Sequence, residues 1–358
     1  MIDIVLGAFF GDEGKGQTVH ELCKQRGNDT MVVRFSGGHQ VGHTVIHEGK
    51  THVFSNFGSG SLLEIPTYWS EFCTVDPHAC VKEKKVLSAL GVDPRVVYHP
   101  LCKVVIPYDI ICQIGDEKNR KDGTVGTGFG TCLRRCKAGY PLYAIECLNI
   151  DVLRAKVMSI YDNYYHPILE AQASSMVSKS ALDDWIWEAF TYFKDVYMGF
   201  LDRIEPYSNY VFEGSQGILL DQNFGIMPYC TPSNVTSQNA WKLIPHGSVG
   251  DITVHYVCRP YITRHGNGPT ITNNPTSKFI NPEETNYYNE FQGGLRQVGM
   301  DFHLLAHSIL MDTVFHGYAV RRTLVVRQQK LVTPELSTKF GRLIDDRVVD
   351  RILYRDLE

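Results

Sequence analysis

The chain is narrowed first by what it does not contain. Nowhere do its 358 residues approach the roughly 18 consecutive apolar positions that a membrane-spanning helix needs. Residues 1–6 are apolar apart from Asp3 but have no basic flank ahead of a long apolar run, so a buried strand is expected there rather than an export signal. Charge of one sign is missing too. With 35 basic and 39 acidic residues the net charge is −4, which gives no general attraction to nucleic acid or anionic lipid. The ten cysteines include no Cys-x-x-Cys pair and no Cys/His set at zinc spacing; Cys132 and Cys136 lie four apart and the rest are scattered among apolar residues. Reduced, mostly buried thiols and a cytoplasmic location are therefore expected. Internal repeats, low-complexity tracts and linkers are also lacking, which favours a single domain over residues 1–358.

What is present is ordinary globular material, 43% hydrophobic and 21% charged. Residues 2–6, a glycine-rich turn and a helical pattern from about Gln17 to Gln25 form the usual opening of an α/β domain. Residues 31–35, 96–98, 104–106, 210–212, 249–256 and 320–326 read as further strands. Val152, Val157, Ile160, Tyr164 and Ile168 recur at helical spacing, as do Trp185, Phe190, Phe193, Met198 and Leu201, a pattern of helices packed onto a sheet. The expected fold is one large α/β domain with a central, mostly parallel sheet, a P-loop-like nucleotide site and a helical insertion over about 151–205.

Four segments combine glycine with small polar and charged residues. The first is Gly11-Asp12-Glu13-Gly14-Lys15-Gly16, between strand and helix, where backbone N–H groups and the helix dipole attract an anion and Lys15 adds a mobile positive charge. It departs from the ordinary P-loop, because Phe9 stands where that motif has its first glycine. Asp12 is a turn residue or, beside a phosphate, a Mg²⁺ ligand or base. In the second, residues 37–44, His39 and His43 lie four apart: metal ligands without a suitably spaced third partner, or a proton donor to a reacting oxygen. The third, residues 123–131, offers glycine amides and threonine hydroxyls and is followed by Arg134-Arg135, which suit a phosphate. The fourth, residues 213–221 continuing to 228–234, carries Gln216, whose amide suits a purine edge, and Thr231, whose hydroxyl suits a phosphate.

Read in order, these segments resemble the adenylosuccinate synthetases. That family carries GDEGKG, GGHNAGHT-like, GTTGxGxGP-like, EGAQGxLLD and PYVTSSN motifs; here they read GDEGKG, GGHQVGHT, GTVGTGFGT, EGSQGILLD and PYCTPSN. Residues 263–269, TRHGNGP, resemble the family's TRVGAGP. The resemblance implies a ligase that phosphorylates the 6-oxygen of a purine nucleotide and then displaces phosphate with the amine of aspartate. It implies that Asp12 takes the N1 proton and ligates Mg²⁺ with the Gly42 carbonyl, and that His43 stabilises or protonates the 6-oxygen. Lys15, with Gly11, Glu13, Gly14, Gly16, Gly42, His43 and Thr44, would hold the donor phosphates. Thr124, Val125, Gln216, Thr231 and His265 would lie on the substrate nucleotide. Arg134 or Arg135 would reach a phosphate from a partner subunit, which implies a homodimer.

Departures from the family bear on the substrates. Its late TKLD-like motif reads the guanine of GTP through an Asp; counting forward from Gly299 puts that place near residues 321–324, Arg-Arg-Thr-Leu, with no Asp. Guanine preference should then collapse, and ATP or dATP is expected as donor. The aspartate-binding loop is short, with Gly293, Gly294, Leu295 and Arg296 as the remaining candidates. The combination resembles the phage branch that acts on dGMP to make diaminopurine DNA, in which case the location is a host cytoplasm. The alternatives are an IMP enzyme and a nucleotide-binding paralogue without ligase activity. No contact with nucleic acid or membrane is expected.

Overall fold

The computed structural model describes residues 1–120, 124–172, 177–244, 251–274, 288–289, 292–317 and 320–356. Gly123, residues 173–176 and residues 249–250, which belong to segments read above, lie outside them. Nine strands form the central sheet: β1 (Ile2–Gly7), β2 (Thr30–Arg34), β3 (Thr67–Trp69), β4 (Val96–Tyr98), β5 (Tyr197–Met198), β6 (Asn209–Gly217), β7 (Ile252–Cys258), β8 (Val320–Arg327) and β9 (Arg351–Arg355). Their order across the sheet is β9-β8-β7-β1-β6-β2-β3-β4-β5. Every neighbouring pair is parallel.

A parallel sheet is covered on both faces, so its central strands read as continuous apolar runs, and β1 is buried at all six positions. One face of the sheet packs Val5, Val32, Val211, Val257 and Val325 against Val19, Leu22 and Cys23 of helix α1 (Lys15–Arg26). The opposite face, with Ile4, Leu6, Phe212, Val254 and Tyr256, packs against Leu304, Leu305 and Ile309 of a late helix, Phe302–Thr313. Each such apolar side chain contributes roughly 1.5–3 kcal/mol when fully buried. A second core gathers the β3–β4 end of the sheet with the helices Ile150–Ile160 and Lys179–Lys194.

Several elements differ from the sequence reading. β6 continues through Glu213-Gly214-Ser215-Gln216-Gly217, which reads as a glycine-rich turn but stays paired with β1 through a register irregularity at Val5/Gly7. Of the expected 104–106 strand only Val104 is in a strand, Lys103–Val104, which pairs with Thr74–Val75 outside the main sheet. The second helical pattern stops at Lys194: Met198 lies in β5, paired with Tyr98, and the Gly199 amide donates to the Tyr98 carbonyl at 3.0 Å. The helical segment over 151–205 thus returns to the central sheet. All ten cysteines are free thiols, eight of them buried.

Candidate active site

Because the strands are parallel, their carboxyl ends meet at one edge, where ligands bind in such sheets. There the residues following β1, β2, β6, β7 and β8 enclose a cleft of about 390 Å³.

The glycine loop after β1 turns through positive φ at Gly11 (104°), Asp12 (61°) and Gly14 (97°) to start α1 at Lys15. Gly14 is required twice over, since a Cβ there would also meet Arg327 Cγ at 3.0 Å. Glu13 faces into the loop: its carboxylate accepts from the Phe9 and Gly11 amides at 3.1 and 2.8 Å and from Lys15 Nζ at 2.8 Å. An anionic side chain in that position organises the loop amides and Lys15 and does not itself contact a phosphate. Asp12 presents its carboxylate to the cleft, with His265 Nε2 3.7 Å away.

His43 begins the hairpin His43–His47/Lys50–Phe54, which is tied to α1 by two Gln17–Ile46 hydrogen bonds of 2.9 and 3.2 Å. Its Nδ1 lies 2.6 Å from Glu213 Oε1 of β6, and both side chains are buried. Glu213 also accepts from the Ser59 amide at 3.1 Å and from the Ser59 hydroxyl. Burial raises the Glu213 carboxyl, but His43, Arg34 and Ser59 outweigh it and hold the group down at about 2. Burial pushes the His43 imidazole below its usual value, and Glu213 opposes that shift. Glu213 therefore stays ionised and accepts the Nδ1 proton, which orients the ring and supports an imidazolium when negative charge develops beside Nε2. His39 instead lies 3.7 Å from Asp76, so the two histidines do not share a ligand position. Among the described residues no three His, Cys, Asp or Glu side chains gather as a metal site.

The cleft brings together Gly11, Asp12, Glu13, Gly14, Lys15, Gly16, Gly42, His43, Thr44, Val125, Gln216 and His265 of the sequence candidates. Thr124, Thr231, Arg134, Arg135, Gly293, Gly294, Leu295 and Arg296 do not line it. Arg135 must be withdrawn as a phosphate ligand for a partner subunit. It is completely buried, held by Asp109 at 2.9 and 3.0 Å, and only Arg134 reaches the surface, paired with Asp116. Arg296 donates to the carbonyls of Gly268 and Gly266 at 2.8 and 2.5 Å, which ties down the loop bearing His265. Beside it on the paired strand, Arg264 is buried over Phe10, and burial together with Arg296 pushes its guanidinium down to about 10.

The donor-base position also needs correction. Residues 321–324 lie at the amino end of β8, with Arg321 paired to Asp251, whereas the cleft is lined from the carboxyl end by Arg327 and Gln328. Six residue steps along the strand, roughly 20 Å, separate Arg321 from Arg327. Sequence reasoning missed Glu213 and Ser59, although Glu213 opens the fourth motif. It also missed Arg259, Arg327 and Gln328, which carry no local signal.

The adenylosuccinate synthetase family model matches residues 4–320. Two of the similar curated proteins are adenylosuccinate synthetases. That of Hamiltonella defensa is 29% identical over 327 residues, covering 87% of this chain and 73% of the relative. That of Buchnera aphidicola is 30% identical over 279 residues, covering 74% and 64%. Among solved structures, the fully ligated adenylosuccinate synthetase of Plasmodium falciparum aligns with a TM-score of 0.74 at 17% identity, covering 93% of this chain and 78% of that one. Succinoaminodeoxyadenylate synthetase of cyanophage S-2L, bound to dGMP and to dATP as energy donor, aligns with a TM-score of 0.62 at 16% identity, covering 98% and 91%. With the motifs, the cleft and the family match over most of its length in agreement, the chain belongs to the adenylosuccinate synthetase family and is a carbon–nitrogen ligase.

Proposed function

We propose that this ligase joins aspartate to C6 of dGMP, using ATP or dATP as phosphoryl donor, to give 2-amino-2′-deoxyadenylosuccinate for diaminopurine DNA. The observation that carries the reading is the chemistry of the donor end of the cleft. Arg259, Arg327 and Gln328 line it, while the carboxylates lining the cleft among the described residues, Asp12 and Glu13, both stand in the glycine loop. Gln328 Oε1 accepts from the Tyr261 hydroxyl at 2.8 Å, and that hydroxyl accepts from Arg259 at 3.1 Å. The amide NH₂ of Gln328 then faces a base as a donor, which suits the acceptor nitrogens of adenine. Guanine would bring N1–H and 2-amino donors to an end of the cleft that offers no carboxylate among the described residues, at a cost of about 1–3 kcal/mol for each buried group left unpaired. On the substrate side, Gln216 Oε1 is buried without a hydrogen-bond partner and suits the 2-amino group of guanine, which hypoxanthine lacks. The cyanophage enzyme of the same fold pairs the same two ligands.

In this reading Asp12 takes the N1 proton while the 6-oxygen attacks the terminal phosphorus of the donor, and the nucleoside diphosphate leaves. His43, backed by Glu213, stabilises the 6-oxygen. Lys15, Thr44 and the amides of Gly11, Gly14, Gly16 and Gly42 hold the donor phosphates. The Asp12 carboxylate and the Gly42 carbonyl are hard oxygen donors on the cleft wall, which fits Mg²⁺. When bound, Mg²⁺ supplies positive charge to the phosphoryl oxygens. Arg296, with Gly293, Gly294 and Leu295, takes the aspartate carboxylates; the amine attacks C6 and inorganic phosphate departs. Thr124, Val125, Thr231 and His265 border the substrate nucleotide, and Arg134 of a second subunit reaches its phosphate in a homodimer.

A second reading, IMP as substrate, is favoured by the 29–30% identity to adenylosuccinate synthetases. Mass spectrometry of reactions containing aspartate, Mg²⁺ and ATP, with either dGMP or IMP, separates the two. A succinylated product from dGMP alone is expected; product from IMP alone overturns the proposal.

A further inference from the structure

A second cavity, of about 230 Å³, lies between one side of α1 and the strands β7, β8 and β9, and shares no lining residue with the active-site cleft. Its floor is polar and buried. Asp3, 1% exposed, accepts from Arg26 at 2.8 and 3.1 Å and from His255 Nε2 at 2.8 Å. With Nε2 donating to that carboxylate, His255 Nδ1 is left buried without a hydrogen-bond partner, on a ring only 3% exposed. Such a nitrogen is costly to bury unless something pairs with it.

The mouth is cationic. Arg321 and Arg351 line it from the amino ends of β8 and β9, and Arg355 from the carboxyl end of β9. Arg321 has Asp251 as partner, Arg355 has Glu21 at 3.9 Å, and Arg351 has no ion pair among the described residues. The charged groups lining the cavity are the Met1 ammonium, Arg26, Arg321, Arg351 and Arg355 against Asp3 and Glu21, with Asp251 and Arg327 pairing to Arg321 and Glu21 from outside it. The excess is positive in a protein whose net charge is −4.

We propose that this cavity binds a small phosphate-bearing anion. Guanidinium forks on the rim match phosphoryl oxygens, and the unpartnered Nδ1 at the floor can accept from a phosphoryl hydroxyl. Its concave shape and size fit one or two phosphoryl groups, and the overall negative charge of the chain opposes a polyanionic polymer. The proposal is independent of the identity of the substrates.

Calorimetric titration with pyrophosphate tests it, since pyrophosphate also suits the glycine loop and the two sites can be separated by mutation. In Lys15→Ala protein, one site is expected to remain. Adding Arg321→Ala and Arg351→Ala, both at the cavity mouth, should weaken that site by at least about tenfold with an unchanged melting temperature. Without the Lys15 substitution, the same pair of changes should reduce two classes of site to one. Unchanged affinity in the triple variant, no binding in Lys15→Ala, or equal displacement by sodium chloride at matched ionic strength would each overturn the proposal.

Discussion

His43 and Glu213 show how a single buried pair sets a reacting side chain. The imidazole has one ring nitrogen committed to a carboxylate that burial alone would neutralise, and Arg34, Ser59 and His43 itself keep that carboxylate charged. Glu213→Gln retains the shape but removes the charge that supports an imidazolium. Its kcat is expected to fall by about 10²–10⁴-fold with KM changed much less, measured by steady-state ligation kinetics. The same residue makes a stability prediction. A carboxyl held at about 2 in the folded state against an ordinary 4.5 contributes stability that is fully present above pH 4.5 and lost as the pH falls through 2. Relative to Glu213→Gln, the unaltered protein should lose on the order of 3 kcal/mol across that window, read from urea unfolding at several pH values. A constant difference between the two proteins would remove the assigned ionisation.

At the scale of elements, the approach of the loop after β2 to the Thr74–Val75 strand depends on a side chain that is absent. A Cβ on Gly38 would lie 2.1 Å from Thr74 Oγ1 and 2.9 Å from the Thr74 carbonyl, so Gly38→Ala is expected to cost about 1–3 kcal/mol in chemical denaturation. The carboxyl end of β8 makes a sharper functional prediction. Gln328→Glu puts an acceptor where the proposed donor base meets a donor, and should raise GTP use relative to ATP by about 10–100-fold in kcat/KM. An unaltered ratio in a variant that still uses ATP would place the base elsewhere. β8 also shows why counting along the chain misplaced this position: residues 321–324 and residue 327 share a strand but lie at opposite edges of the sheet. β6 taught the reverse, because its glycines look like a turn until the pairing with β1 is known.

For the whole molecule, the single parallel sheet holds both halves of the site, and its helical side is locked by the buried Asp109–Arg135 pair, to which Tyr165 also donates. Asp109→Ala leaves a buried guanidinium without its carboxylate and should lower unfolding stability by about 3–5 kcal/mol, measured by denaturant titration. Restoring a neutral core with Asp109→Ala and Arg135→Met together should recover part of that loss. The glycine loop, the hairpin histidine and the cleft-lining glutamine were legible in contiguous residues, because anion cradles and proton donors need particular side chains at short spacing. The family and its reaction class were therefore readable along the chain, as were the strand-loop-helix opening and most of the central strands, whose apolar runs follow from burial on both faces. Which arginine is buried and which is exposed, which end of β8 lines the cleft, and that Glu213 stands behind His43 across 170 residues were decided only by the tertiary structure. Burial and contact between distant segments depend on strand order and register, which adjacent residues do not encode.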